Sequence, residues 1–129
     1  TLGRAGSANK GHFSCRSYVL DDAALICLGG KVSGRSLADL GFIECLEHTA
    51  RDRDCIIDLR NVSLLESSAI VALRPFLCGR PGSSGRVLFG GANANVLQMF
   101  RMAGLGQPEY FIGDDELLTA ICDGVRSDG

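Results

Sequence analysis

Apolar runs of strand length alternate with amphipathic segments of helical period along most of this 129-residue chain. FSCRSYVL (13–20) and ALICL (24–28) are typical of strands, and the polar turn between them predicts a hairpin. The complete pattern reads β-β-α-β-α-β-α-β-α. Strands that are separated by helices pair in parallel through right-handed crossovers. The chain is therefore predicted to be α/β, with a mostly parallel or mixed central sheet of about five strands and about four helices packed on it.

Several residues mark where the predicted helices begin and end. Ser36 has the side chain of a helix N-cap and stands before an apolar helical pattern. Pro75 lies inside the second helix and removes one backbone hydrogen bond, which predicts a kink or an early stop. EYFI (109–112) reads as a short last strand, and Asp114 or Asp115 opens the final helix.

Length, charge and composition limit what the chain can be. Its 46% hydrophobic residues support one packed domain, predicted at 13–125, between a flexible arm (1–12) and a tail (126–129). The net charge of −2, without a basic block, argues against binding to nucleic acid. No apolar run approaches the ~20 residues of a membrane span, and residues 1–12 lack the apolar segment of a signal peptide. We therefore expect a cytoplasmic domain.

Six cysteines are spread along the chain: Cys15, Cys27, Cys45, Cys55, Cys78 and Cys122. None are spaced as C-x-x-C, and the two histidines form no ligand pair, so neither a zinc site nor any other cofactor is predicted. Buried thiols that act as small hydrophobic side chains are the simplest interpretation. Cys15 and Cys27 flank the predicted hairpin turn. A redox pair between them is an alternative, provided that their Cα atoms lie within roughly 7 Å.

The stretch CIIDLRNVSLLESSAIVAL (55–73) reads as a strand, a bend and a helix, with Glu66, Ser67 and Ser68 at the bend. These side chains can cap the helix, and a phosphate is also tolerated at a helix N-terminus. A hydrolase would need a G-x-S-x-G elbow with a histidine base, and a nucleotide site would need G-x-x-x-x-G-K-[ST]. Neither pattern is present, so we predict a binding protein without catalytic residues rather than an enzyme.

IIDLRNVSLLESSAI resembles the central motif of the STAS domain, the fold of bacterial anti-sigma factor antagonists: an apolar strand that ends in DL, a short run, then DSSGL. RVLFGGANANVLQMFRMAGL and YFIGDDELLTAI also match, so the resemblance extends from about Phe13 to Ile121. It implies that the chain binds an anti-sigma factor that is also a serine kinase, and so releases a sigma factor. Phosphorylation by that kinase breaks the complex, and a phosphatase restores it.

In that family the kinase phosphorylates the second serine of the motif, and the resemblance implies that this serine is Ser68 here, with Ser67 as the second choice. The implied partner-binding residues are Lys31, Ser33, Gly34, Arg35, Glu66, Ser67, Ser68 and Ala69. In the family pattern, Glu66 is an aspartate, Ala69 is a glycine, and the loop GKVS (30–33) reads GELD. The replaced acids predict slower phosphorylation or a divergent kinase.

The resemblance leaves other functions open. A redox-controlled antagonist would replace the phosphate switch by a cysteine pair. A soluble STAS subunit of a lipid or anion transport system is another alternative, and a homodimer is a further possible assembly.

Overall fold

The structure, a computed structural model, describes residues 4–10, 13–20, 23–39, 41–49, 51–77 and 85–128. The strands are β1 (Arg4–Lys10), β2 (Phe13–Val19), β3 (Ala23–Val32), β4 (Asp54–Leu65) and β5 (Val87–Gly90). The helices are α1 (Gly34–Asp39), α2 (Phe42–Thr49), α3 (Ser67–Leu77), α4 (Ala94–Met102) and α5 (Asp114–Asp128), and a 3-10 turn covers Pro108–Tyr110. The α/β prediction is confirmed.

The five strands form one mixed sheet in the order β1-β2-β3-β4-β5. β1, β2 and β3 pair antiparallel, whereas β3, β4 and β5 pair in parallel, as expected for strands that are joined through helices. The predicted hairpin is β2–β3. β1 lies within residues 1–12, for which the sequence predicts a flexible arm. In the structure its backbone instead extends the sheet beside β2.

The two faces of the sheet carry different helices. Along β4, Cys55, Ile57 and Leu59 point to one face and are fully buried, while Ile56 points to the other. The first face carries the larger core and is covered by α1–α4, through side chains that include Leu37, Leu46, Leu73 and Phe100. The second face is covered by α5, where Ala120 packs beside Leu25.

The structure differs from the prediction in the first helical segment and in the last strand. The single helix expected after Ser36 is two helices, because the chain turns at Gly41, whose φ is +64°. The strand expected at 109–112 is wrong: Pro108 begins a 3-10 turn, for which its restricted φ is suited, and Phe111 alone bridges to β5. α3 includes Pro75 and ends two residues later. Cys78 lies outside the described residues.

Candidate functional site

The connections that follow β3 and β4 lie side by side at the carboxyl edge of the parallel strands. The register pairs Lys31 with Leu64 and Val32 with Leu65. One residue further on, the Glu66 amide donates a 2.9 Å hydrogen bond to the Val32 carbonyl. The loop before α1 and the bend before α3 therefore leave the sheet together. This edge is where open α/β sheets present their binding residues.

The first turn of α1 is stabilised by two serines. The Ser36 amide donates to Ser33 Oγ at 3.1 Å, and the Ser33 amide donates to Ser36 Oγ at 3.0 Å. This is the reciprocal arrangement of a capping box, with serine in place of the usual Glu or Gln. Ser33, rather than Ser36, is therefore the N-cap.

The first turn of α3 begins after Glu66, whose carbonyl accepts from the amides of Ala69 at 3.0 Å and Ile70 at 3.4 Å. Ser67 and Ser68 are the first and second residues of the helix, and both side chains are exposed. Ser68 Oγ accepts a hydrogen bond from the Gly34 amide at 2.9 Å. The Ser68 hydroxyl thus serves the first turn of the neighbouring helix α1.

The contact between Gly34 and Ser68 is close enough to require glycine. A Cβ at Gly34 would lie 2.7 Å from the Ser68 carbonyl oxygen and 3.2 Å from Ser68 Cβ. Distances below 3.0 Å are not sustained, and the obstructing oxygen belongs to the backbone of α3, which cannot rotate away as a side chain could. Glycine at this position brings the starts of α1 and α3 into direct contact.

Most of the residues implied as partner-binding do meet on one surface, which we call the serine face: Lys31, Ser33, Gly34, Arg35, Glu66, Ser67 and Ser68. Ser33 and Gly34 are half-buried and the others are exposed. Ala69 is 0% exposed, because it faces inward from the first turn of α3 and belongs to the core. It cannot contact a partner directly.

Two exposed apolar residues border the serine face and were missed from the sequence. Leu64 lies beside Lys31 in the strand register and is 43% exposed. Val71 follows Ser67 by one helical turn and is 67% exposed. The exposure of Val71 could have been predicted from the sequence, because Val71 lies outside the helical repeat of the inward-facing residues Ile70, Leu73 and Leu77.

No family model matches this chain, and no curated protein matches it. Among solved structures, it is similar to the anti-sigma factor antagonist SpoIIAA in its unphosphorylated form, with a TM-score of 0.63 and 15% identity over 85% of this chain and 96% of that chain. The chain has a STAS-like fold. The phosphorylated form of SpoIIAA, described as a Bacillus cell fate determinant, gives a TM-score of 0.59 at 15% identity over 84% of this chain and 98% of that chain.

The cysteines of this STAS-like domain do not form the pair considered from the sequence. Cys15 is paired with Leu28 in the β2–β3 register, and Cys27 is paired with Arg16. Because neighbours along a strand point to opposite faces, Cys15 and Cys27 lie on opposite sides of the sheet. Both are free thiols. The redox alternative therefore loses its candidate pair.

Burial also makes these thiols poor nucleophiles. It raises the pKa of Cys15 to about 11, with a smaller contribution from nearby Cys45. It raises the pKa of Cys27 to about 12, with further contributions from the charge of Asp58 and a hydrogen bond to it. Since the thiolate is the reactive species, both cysteines are expected to react slowly near neutral pH.

Asp58, which comes from the DL pair of the motif, is buried beneath Arg60. The residue is 1% exposed. It accepts hydrogen bonds from the Arg60 amide at 3.0 Å, from Nε at 3.1 Å and from Nη2 at 3.2 Å. Each carboxylate oxygen thus has a donor, and the pair is a structural element inside the second face of the sheet.

The described ranges contain neither a group of metal-binding side chains nor a membrane-spanning helix. Nowhere in them do three or more histidine, cysteine, aspartate or glutamate side chains come together as a metal site requires. Within the same part of the chain, no helix combines the length and the apolar character needed to cross a membrane.

Proposed function

We propose that this chain is an anti-sigma factor antagonist, which binds an anti-sigma factor of the serine-kinase type through the serine face and so releases a sigma factor. The main support is the exposed Ser68 hydroxyl, which the Gly34 amide contacts at the meeting point of two helix starts, in a fold similar to SpoIIAA. The chain is a regulator and a kinase substrate in this proposal, and not an enzyme.

The proposed switch is phosphorylation of Ser68. The γ-phosphoryl group of ATP is transferred to Ser68 Oγ while the hydroxyl proton passes to a base on the kinase and ADP leaves. A phosphatase reverses the modification by hydrolysis. SpoIIAA has been solved in phosphorylated and unphosphorylated forms, which supports the idea that this fold can carry a phosphate.

Charge on the serine face explains how the phosphate would act. Lys31 and Arg35 are exposed cations, and Glu66 is the exposed carboxylate among the residues of this face. A partner that complements this surface is acidic. A phosphoserine adds about −1.5 to −2 charges, which reverses the sign of the face and repels such a partner. Because Ser68 is exposed, the modification changes binding without opening the core.

Affinity capture from a lysate of the source organism tests the proposal. Wild type, Ser68→Asp and the matched control Ser67→Asp serve as baits, and mass spectrometry identifies the captured proteins. We expect wild type to capture an ATP-binding serine kinase, with at least a tenfold loss for Ser68→Asp and a smaller loss for Ser67→Asp. Equal capture by wild type and Ser68→Asp would contradict the switch, and a transport ATPase as the main partner would contradict the antagonist function.

A further inference from the structure

Ser67 and Ser68 are adjacent, exposed and chemically identical, yet their hydroxyls differ in their hydrogen-bond partners. Ser68 Oγ accepts from the Gly34 amide at 2.9 Å. In the described part of the chain, no such donor contacts the Ser67 hydroxyl. We infer that Gly34 is a positioning residue that makes Ser68, rather than Ser67, the hydroxyl presented for phosphorylation. This inference rests on the proposed function, and it adds the residue that determines which serine is used.

The hydrogen bond orients the reactive group of Ser68. A serine hydroxyl has one proton and two acceptor lone pairs. Because the Gly34 N–H occupies one lone pair, the Ser68 proton points away from Gly34. The same bond favours one staggered rotamer of the Ser68 side chain, whereas no hydrogen bond of this kind restricts Ser67 in the described residues. A kinase that meets Ser68 therefore finds a nucleophile already oriented, which lowers the entropic cost of reaching the reactive geometry.

The neighbouring contacts keep Gly34 in place. On one side, the Ser33–Ser36 capping box fixes the start of α1. On the other side, the bond from the Glu66 amide to the Val32 carbonyl ties the two connections together, so the donor and acceptor cannot drift apart freely. Ser67 and Ser68 lie in the same helical turn, and the hydrogen bond from Gly34 is the contact that distinguishes Ser68 from Ser67.

Only glycine allows this bond at its observed length. An alanine Cβ at position 34 would lie 2.7 Å from the Ser68 carbonyl oxygen. The backbone of α3 at this point cannot yield easily, because the next residue, Ala69, is buried in the core. Gly34→Ala therefore pushes the start of α1 away from Ser68 and breaks the hydrogen bond. Gly113→Ala is a matched control, since a Cβ there meets nothing within 4 Å.

The first test needs no kinase. Hα–Hβ scalar couplings are measured by NMR for Ser67 and Ser68 in the full chain. In wild type and Gly113→Ala, we expect the couplings of one rotamer for Ser68 and averaged couplings for Ser67. In Gly34→Ala, we expect averaged couplings for both serines. Averaged couplings for Ser68 in wild type, or one retained rotamer in Gly34→Ala, would overturn the role of Gly34.

A second measurement covers the case in which Gly34→Ala does not fold. Amide hydrogen exchange of Gly34 is compared in wild type, Ser68→Ala and Ser67→Ala. Loss of the Oγ acceptor is expected to speed exchange of the Gly34 amide in Ser68→Ala, while Ser67→Ala behaves as wild type. Equal exchange in all three proteins would also overturn the inference.

The last test measures site selection itself. Each protein is incubated with ATP and lysate of the source organism, and phosphate on each serine is quantified from peptides. We expect Ser68 to be favoured by up to about threefold, the largest advantage that one held rotamer has over three, and this preference to fall towards parity in Gly34→Ala alone. An unchanged preference in Gly34→Ala would refute the inference. Phosphate on neither serine would count against the proposed function, and the couplings would then decide the role of Gly34.

Discussion

The backbone amide of Gly34 donates a 2.9 Å hydrogen bond to Ser68 Oγ, across 34 residues of sequence. The contact exists because β3 and β4 are parallel neighbours and deliver their following helices to the same edge of the sheet. The Ser68 side chain consequently has two roles, as a cap for α1 and as the exposed hydroxyl of the serine face. Each role predicts a separate measurable effect.

Removing the Ser68 hydroxyl is expected to destabilise the domain modestly. Ser68→Ala leaves the Gly34 amide without its acceptor, which should lower the free energy of unfolding by about 1 kcal/mol. Ser67→Ala removes a hydroxyl from the same turn and should change the free energy of unfolding by less than about 0.5 kcal/mol. Urea denaturation of the two variants measures the difference. Equal losses would show that the Gly34 bond contributes nothing specific.

The buried carboxylate of Asp58 should matter more for stability than any side chain of the serine face. Asp58→Ala takes away the acceptor of the Arg60 amide and guanidinium, so we expect a loss of about 2 kcal/mol. Arg60 remains partly exposed and can be rehydrated, which keeps the loss below that of a fully buried pair. Asn61→Ala, at an exposed position of the same strand, is the control. A loss below about 0.5 kcal/mol for Asp58→Ala would contradict this role.

The Asp54–Arg86 ion pair predicts a pH-dependent contribution. Burial by itself would raise the pKa of Asp54, but the hydrogen bonds and the positive charge of Arg86 outweigh it and lower this pKa. A carboxylate with a lowered folded-state pKa stabilises the fold above its unfolded-state pKa, and that contribution disappears as the pH falls through the folded-state pKa. Arg86→Ala should therefore lower the free energy of unfolding by up to about 0.5 kcal/mol at pH 7, because the pair is exposed. Well below about pH 4 the substitution should have no such effect.

Chemical denaturation at pH 7 and at pH 3 measures that contribution. Arg16→Ala, which also removes an exposed arginine, controls for the general effect of lost positive charge. If Arg86→Ala lowers the free energy of unfolding by the same amount at pH 3 as at pH 7, the ion pair with Asp54 is not the source of that loss.

Thiol reactivity should follow burial. With Cys45 and Cys78 replaced by serine in every protein, so that the sheet cysteines and the exposed Cys122 remain, Cys122 is expected to react with Ellman's reagent in a fast phase at pH 8. Cys15 should react far more slowly until the protein unfolds, because it is partly buried and its pKa is about 11. Cys122→Ala should remove the fast phase. A fast phase that survives this change would mean that a sheet cysteine is reactive.

The sequence predicted the parts of the fold that depend on local apolar patterns. The hairpin β2–β3, the core strand that contains Cys55 and the start of α5 at Asp114 are in place. β1 was missed because its sequence, RAGSANK, has no apolar alternation. The break at Gly41 was missed because the apolar period continues across it.

The candidate site was predicted as a set of residues but not as a set of contacts. The motif resemblance pointed to Ser68 and to the loop that contains Lys31. It could not indicate that Gly34 contacts Ser68, because that hydrogen bond depends on the β3–β4 register and on the backbone paths of the loop before α1 and the bend before α3. The resemblance also placed Ala69 among the partner-binding surface residues, because a motif does not show which side of the first helical turn faces the core.

The most direct test of the account compares one partner with two forms of this chain. The kinase that wild type captures is purified, and its affinity is measured for unmodified protein and for protein with phosphoserine incorporated at position 68 during synthesis. The account predicts at least a tenfold weaker affinity for the phosphorylated form, equivalent to about 1.4 kcal/mol or more. Equal affinity for the two forms would contradict the claim that Ser68 is the switch.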